Sequence, residues 1–544
     1  MARFGWRIQA GLFCSLGLLQ AMEFGVMGNV SASMGGAGVA LKSPFALYYN
    51  PALIAVDSRT RIGYSLGLGM EQSNLDRLTK LDFGKMVNAL TSLGAQMGGV
   101  GGGGAGGGGA PGGGGGQGTD GFQKVLVDAL QQATPGQNQQ QDLGKLWEAY
   151  KQQHPNGNHS DLVGKLGAAI DASNMPQDQK DLLKDLGNSI NWDNFDISGG
   201  KITHLTIKAG SNGVLDEAMG NLDTLFEVLR NNNMNVRSQS GLTFQLSSEK
   251  LGGYGSMAIG IFNSLQAGVS LVADPNRMRL IFGDANGYYE LTQNSDGYSL
   301  QVSSKNDYDQ YSLLKSIQDG NAHKLASSIF SLVELPLGYA YNFKMGRSQF
   351  SLGTTIKMML GLSVYHEQFL SNNIKINTNF ASNLKYAINV GVDVGAYYGY
   401  SIFDDGEIGL GFVAKNVNFP TFRFDGSPTV VIKPQYRAGL AYNGKNFSLA
   451  FDADILPNEV INWSNRSALS QVLGGGFKVD LRYVDLRGGV AYDLRQDSGV
   501  IVTAGINILG FIDLAAEVGT KWVNYFGWTA PKYATVRLGG SFSW

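Results

Sequence analysis

Much of this chain alternates with a period of two. In Tyr533–Trp544, Ala534, Val536, Leu538, Gly540, Phe542 and Trp544 share one face, and Tyr533, Thr535, Arg537, Gly539, Ser541 and Ser543 share the other. An extended strand sends successive side chains to opposite faces, so the segment predicts a strand with one oily and one polar surface. Between Arg59 and Met70 the same alternation puts Ile62, Tyr64, Leu66, Leu68 and Met70 opposite Gly63, Ser65, Gly67 and Gly69. Strands are expected over 60–70, 241–249, 253–273, 333–343, 349–365, 385–402 and 407–417. Further ones are expected over 433–443, 446–455, 471–480, 483–494, 499–508, 512–522 and 533–544. That is about fourteen, an even number as single-chain bacterial membrane barrels require. From the second strand onward, tight turns (Lys250-Leu251-Gly252, Asp404-Asp405-Gly406, Asn443-Gly444-Lys445) alternate with longer connections over 274–332, 366–384, 418–432, 456–470 and 523–532. Gln496-Asp497-Ser498 is the short exception. Short turns on one side and long loops on the other predict an all-β transmembrane barrel, 59–544, with both termini periplasmic.

A large insertion, 71–237, interrupts the barrel after its first strand, and the parity of the turns puts it on the outer surface. Its amphipathic stretches Leu81–Leu93, Phe122–Ala133, Leu143–Gln153, Leu162–Ile170, Leu182–Ile190 and Val214–Leu229 predict helices that pack on one another. Between them, 98–118 is nearly all glycine and reads as a flexible linker. It matches GxGxxG trivially, but without a strand-to-helix context or a following GK[ST] it is no nucleotide loop.

The N-terminus predicts a secretory signal over 1–21: Arg3 and Arg7, an apolar run from Ala10 to Leu19, then Gln20-Ala21 at the cleavage site. The one cysteine, Cys14, lies inside it, so disulfides, thiolate metal sites and cysteine catalysis are not expected of the mature chain. Next comes a Gly-rich irregular stretch, Ser31 to Val56, that contains Met34-Gly35-Gly36-Ala37-Gly38 and Asn50-Pro51-Ala52. At this spacing the two motifs resemble the N-terminal hatch of FadL-type outer-membrane transporters. The resemblance implies a plug over 22–58 that enters the lumen and gates it, with Gly35, Gly36, Gly38, Asn50, Pro51 and Ala52 as its residues. The layout of the C-terminal half further resembles the conjugal-transfer TraF-like outer-membrane family, a distant relative of the FadL group. A thioredoxin-like protein that shares that name depends on a Cys pair in many members, and this chain has no CxxC. Arg537, Gly539, Phe542 and Trp544 resemble the C-terminal assembly signal of outer-membrane barrels, which implies handling by the barrel-assembly machinery.

Composition narrows the chemistry. With 76 glycines, 16% charged residues and a net charge of −2, the chain offers no basic face for nucleic acid. The histidines His154, His159, His204, His323 and His366 show no HExxH or HxH spacing, so neither a metal site nor a cofactor is expected. His154 and His159 are expected to be solvated in a polar loop, and His366 alone falls where a barrel-wall hydrolase would need it. Asp307 and Asp309 lack the Gly and distal Glu of a calcium loop. No catalytic residues are assigned, and the chain is not expected to be an enzyme.

Alternation points Lys357, Asp393, Glu407, Lys415, Arg437, Asp452, Asp454, Asp485, Arg487, Asp493, Glu517, Lys521 and Arg537 into the lumen. Their mixed signs predict charge pairs that lock a plug or bridge the wall, not an ion-selective ring. In the FadL family a hydrophobic substrate is thought to leave sideways through a gap made by a kinked third strand beside the hatch. The third strand here is interrupted on its lipid face by Asn263, which marks either a bulge, and with it a wall opening, or a hairpin tip that would add a strand. The leading expectation is an outer-membrane passive transporter of small hydrophobic compounds such as fatty acids or hydrocarbons, gated by the hatch and surrounded by lipid and lipopolysaccharide. The second is a surface interaction or assembly protein whose barrel is an anchor and whose insertion binds a protein partner. A general polar porin fits the charged lumen but not the hatch.

Overall fold

The structure is a computed structural model. It describes residues 22–57, 59–74, 77, 121–136, 142–155, 157–208, 210, 213–230, 232–284, 287–294, 297–369, 384–403, 406–461, 468–525 and 528–544. The expected signal segment 1–21, helix Leu81–Leu93, glycine linker 98–118 and turn residues Asp404-Asp405 lie outside the described residues.

Fourteen strands close into one antiparallel barrel. They are β1 Arg61–Ser73, β2 Asn233–Leu246, β3 Ser256–Val272, β4 Lys324–Met345, β5 Ser348–Phe369, β6 Lys385–Phe403 and β7 Gly406–Lys415. They continue as β8 Gln435–Gly444, β9 Phe447–Asp454, β10 Val472–Asp480, β11 Val484–Asp493, β12 Val500–Ile508, β13 Ile512–Gly519 and β14 Tyr533–Ser543. Each strand pairs with its neighbours in sequence, and β14 returns to β1 in register from Arg61↔Ser543 to Glu71↔Tyr533. Closure leaves no open sheet edge, the condition for a sheet in hydrocarbon. The two faces of the wall differ as the alternation predicts. Leu66, Leu68, Ile356, Ile388 and Val536 are exposed outside, while Lys357, Arg437 and Arg537 are buried inside. No helix among the described residues is long and apolar enough to cross a membrane.

The staves are unequal. β4 and β5 have 22 residues each, whereas β7, β8 and β9 have 10, 10 and 8. Pairing of β6 with β7 begins only at Val394↔Ala414, so the first nine residues of β6 rise above that neighbour. A hairpin of Thr421–Phe424 and Ser427–Val431 turns inward beneath the tall side. It buries Phe422, Phe424, Val430 and Ile432 against Phe330, Leu332 and Met359. The expected start of β4 at 333 is late for this reason: residues 326–332 are covered on both faces, which erases their alternation.

The insertions after β1 and β3 fold together as one α/β cap. The expected helices are present as Phe122–Ala133, Leu143–Gln153, Ser160–Ala172, Gln177–Ser189 and Gly213–Arg230. They pack with a five-stranded sheet ordered Ile190–Ser198, Lys201–Lys208, Gly297–Ser303, Gly287–Asn294, Leu280–Asp284. The sheet joins the two insertions where His204↔Gln301 through Lys208↔Gly297 pair. The region 274–332, expected as an outer loop, therefore supplies three strands of the cap, and the insertion is not purely helical. Trp147, Tyr150, Trp192, Phe195, Leu205 and Leu300 share the cap core.

Candidate functional site: the plugged lumen

Residues 22–57 lie inside the barrel as short turns: helices Asn29–Ala32 and Ala46–Tyr49, then a 3-10 turn over Pro51–Ala55. Asn50 precedes that turn in extended backbone, with proline at the first helical position, where its missing N–H costs nothing. The Asn50 amide pins three things at once. Its oxygen accepts from Ala52 N at 3.1 Å, and its Nδ2 donates to Val39 O at 2.9 Å and to Ala396 O of the wall at 3.0 Å. Gly35 and Gly36 take φ of +67° and +82°, the left-handed region that a side chain disfavours.

The inward glycines of the wall are explained by this plug. A Cβ built on Gly474 would stand 2.0 Å from Gly35 O, on Gly411 2.2 Å from Val39 O, and on Gly353 2.4 Å from Ala52 N. Backbone packs on backbone there, and only glycine fits. Wall side chains supply the polar contacts. Asp452 Oδ2 accepts from Gly38 N at 2.7 Å and Val39 N at 2.9 Å. Thr503 Oγ1 accepts from Gly35 N and donates to Ser33 O, both at 3.0 Å. Ser351 Oγ donates to Ala52 O at 2.8 Å, and Gln245 Nε2 donates to Ile54 O at 2.9 Å.

Charges in the lumen are largely paired. Lys357 bridges Glu334 at 2.7 Å and Asp393 at 3.1 Å, and Arg437 binds Asp454 at 2.6 Å. Arg487 pairs with Asp513, and Arg237 holds both Glu23 of the plug and Glu71. Asp57 closes the plug against Arg59 and Arg61. Burial alone would raise its carboxyl, but the hydrogen bonds from Arg59 and the adjacent Arg61 charge hold it well below the usual range. An aromatic group of Phe24, Phe45, Tyr48 and Tyr49 faces Phe262 of β3. Two cavities flank the plug, of about 80 Å³ and 50 Å³, each with room for a few waters only.

Residues 149–454, more than half of the chain, match the family model described as F plasmid transfer operon, TraF, protein. The chain belongs to this family. Among solved structures it is similar to the toluene transporter TbuX of Ralstonia pickettii, with 11% identity over 96% of this chain and 99% of that one at a TM-score of 0.35. It is also similar to the toluene transporter TodX of Pseudomonas putida (10% identity, 96% and 99% covered, TM-score 0.38). A Pseudomonas aeruginosa FadL homologue gives 9% identity with 96% and 98% covered at a TM-score of 0.34. These likenesses run the length of the chain but are remote. No curated protein matches it.

In this TraF-family barrel the six plug residues lie inside the wall, while Asn263, Arg537, Gly539 and Phe542 lie in strands and Trp544 follows the last one. Asn263 makes no bulge, nor does it head a hairpin. β3 is one strand in constant register with β2 (Asn263↔Ser240), and the Asn263 amide oxygen accepts from Ser331 Oγ at 2.9 Å. The wall loosens three residues earlier. Between Ile259↔Leu337 and Phe262↔Glu334, Gly260 and Ile261 do not pair with Pro336 and Leu335. Pro336 has no N–H to donate, so the interruption is written into β4. Arg537 is buried beside Glu517 and donates to Gln239 Oε1 at 2.8 Å. Gly539 packs against Tyr64 and Asn29, whereas Phe542 and Trp544 face outward.

Lys521, expected in the lumen, lies in the turn after β13, exposed and paired with Asp497; the strand ends at Gly519 and the alternation with it. Asp485 is only half-buried. Glu71, Glu334 and Arg237 were absent from the expected lumenal set. Glu71 continues the face of Gly63, Ser65, Gly67 and Gly69, so carrying the period one step further finds it. His154 and His159 are half-buried rather than solvated, since His154 stacks on Tyr150 at 4.4 Å and His159 tilts against Trp147 and Tyr150. His366 lies on β5 opposite Ser327. Asp309 pairs with Lys305 one helical turn away, and Asp307 faces Arg279.

Proposed function

We propose that this TraF-family barrel is an outer-membrane passive transporter of small hydrophobic compounds, with residues 22–57 as a movable hatch and the insertions forming an outer cap. One observation carries the reading: the aromatic face of the plug lies against β3 beside the place where β3 and β4 stop pairing. A hydrophobic solute that displaced the plug would meet an aromatic surface and a wall seam, not a water-filled pore. The contacts of the plug with the wall are side-chain hydrogen bonds, ion pairs, ring contacts and glycine packing, not strand pairing, so it can shift without unzipping the barrel.

The experiment is uptake of a labelled long-chain fatty acid and a labelled aromatic hydrocarbon by cells with and without the protein. A Pro51→Ala variant, checked for normal membrane insertion, runs alongside. Protein-dependent uptake that changes in the variant is expected. Equal uptake with and without the protein, across several hydrophobic solutes, would overturn the reading.

A second reading is supported by the cap, which has its own core and draws on two insertions. In that reading the barrel anchors a surface module for a protein partner, in keeping with the conjugal-transfer description of the family. Deleting the cap would then abolish partner binding, while hatch variants would leave it intact.

A further inference from the structure

The ion pairs of the lumen leave one cation over. Lys415, at the end of β7, is buried, yet none of the ion pairs among the described residues includes it. It faces rings instead: its Nζ lies 3.5 Å from the centroid of Tyr48 and 4.7 Å from that of Phe24. Arg437 covers Phe24 at 3.9 Å while remaining paired with Asp454. Both rings belong to the plug. Beside them lies the cavity of about 50 Å³, whose walls include Tyr48, Lys415, Leu265, Leu332, Ile432 and Val460. It is too small for a ring as it stands, but withdrawal of Tyr48 would add the volume of a ring next to the ammonium.

The cavity wall is mixed: Glu23, Arg237 and Glu334 line it together with the aliphatic residues, and an ammonium outside any ion pair would ordinarily suit a carboxylate. The surrounding charges decide otherwise. Lys415 faces Glu334, Asp393, Lys357 and Arg437, and with the Asp454 partner of Arg437 that group holds three cations and three carboxylates. The group is already neutral, so an incoming carboxylate would add an uncompensated charge to a buried site. A neutral π face adds none, and it restores the contact that Tyr48 gives up. We propose that Lys415 is the ring-recognition point of the lumen, that Tyr48 and Phe24 are its built-in occupants, and that the ligand class is neutral aromatic hydrocarbon. The inference deepens the transport reading and rests on it for the movement of the hatch. Phe262, which meets Tyr48 edge-on at 5.3 Å, borders the unpaired stretch of β3 and gives a ring leaving Lys415 an aromatic surface on the way to the wall seam.

The test is equilibrium binding of naphthalene, decalin and decanoate, all with ten carbons, to the purified full-length barrel in detergent, with cellular uptake of the same probes alongside. A cation over a ring face favours naphthalene over decalin by roughly 2- to 30-fold. Lys415→Met is expected to erase that preference by weakening naphthalene alone, and Lys415→Arg to keep it. Heat-modifiable gel mobility verifies that each variant is folded. Equal binding of naphthalene and decalin by the native protein overturns the proposal, as does an undiminished preference in Lys415→Met. Tightest binding of decanoate, lost in Lys415→Met, also overturns it and makes Lys415 a carboxylate site. Ring-selective binding without any uptake keeps the ring site and removes the transport reading; uptake without ring preference does the reverse.

Discussion

Asp452 ties the wall to two consecutive plug N–H groups, and its removal tests whether side-chain contacts keep the plug seated. Its Oδ2 accepts two plug N–H groups, Gly38 at 2.7 Å and Val39 at 2.9 Å. Hydrogen bonds to a charged acceptor contribute roughly 1.5–3 kcal/mol each, so the pair is worth about 3–6 kcal/mol. In Asp452→Ala the vacated space admits water, which satisfies part of the debt, so the low end applies. A loss of about 3 kcal/mol shifts the ratio of seated to released plug by about 100-fold. Asp452→Asn keeps an acceptor oxygen but loses the charge, and about tenfold is expected. Because Cys14 is the one cysteine of the sequence, a Val39→Cys reporter in a Cys14→Ser background gives a clean readout. Val39 is fully buried, so a water-soluble maleimide reaches position 39 only when the plug moves. The labelling rate should rise about 100-fold in Asp452→Ala and about tenfold in Asp452→Asn. An unchanged rate in Asp452→Ala, with the barrel still heat-modifiable, would refute the reasoning and show that the remaining contacts seat the plug without Asp452.

Gly474→Ala should unseat the same plug by sterics, since its Cβ would lie 2.0 Å from Gly35 O; the maleimide assay should register it, while a substitution at the exposed Gly426 turn should not. Phe422→Ala empties a fully buried seat in the upper lumen, at a cost of about 3–5 kcal/mol, and proteolysis at the 421–431 hairpin should accelerate accordingly. Acid should weaken the cap in two steps, read by thermal melting across pH. Burial lowers His323 below its ordinary 6.5, so the folded state resists protonation and stability declines as pH drops below about 6.5. A hydrogen bond from Arg279 lowers the Glu290 carboxyl below its ordinary 4.5, so that pair's stabilisation is present above 4.5 and disappears as pH falls through the lower folded value. Asn in place of His323 should flatten the first step, and a melting curve indifferent to pH between 7 and 5 would refute the His323 argument.

What could be read from the sequence, and what could not, follows from where period two survives. Alternation is visible only where the two faces of a strand have different surroundings. β1 and β14 meet lipid on one side and the plug on the other, and their residues announced it. Residues 326–332 of β4 are covered on both sides by hairpin and neighbours, so ASSIFSL carried no alternation. The cap sheet was hidden differently, because its central pairing joins Lys201–Lys208 to Gly297–Ser303 across the barrel strands between them. Asn263 drew the eye as a polar residue on an oily face. The interruption in pairing lies opposite Gly260, at a proline on the next strand, because a ladder breaks where a donor is missing and not where a side chain is polar.

The lumen shows the same division between what one residue can say and what only a pair can say. Gly353, Gly411 and Gly474 read as small residues that leave space, and the plug backbone fills that space. Lys357, Arg437 and Asp454 read as mixed charges and are found in pairs. Lys415 read like the others, yet its close partners are rings contributed by a segment more than 350 residues earlier in the chain. No strand pattern reports such a contact. A lumen whose other cations sit in ion pairs, but in which Lys415 meets only plug rings at close range, has its most replaceable contact at Tyr48. A plug held by directional polar bonds at Asp452, Thr503, Ser351 and Gln245, and by an undirected ring contact at Lys415, should therefore yield first at the ring.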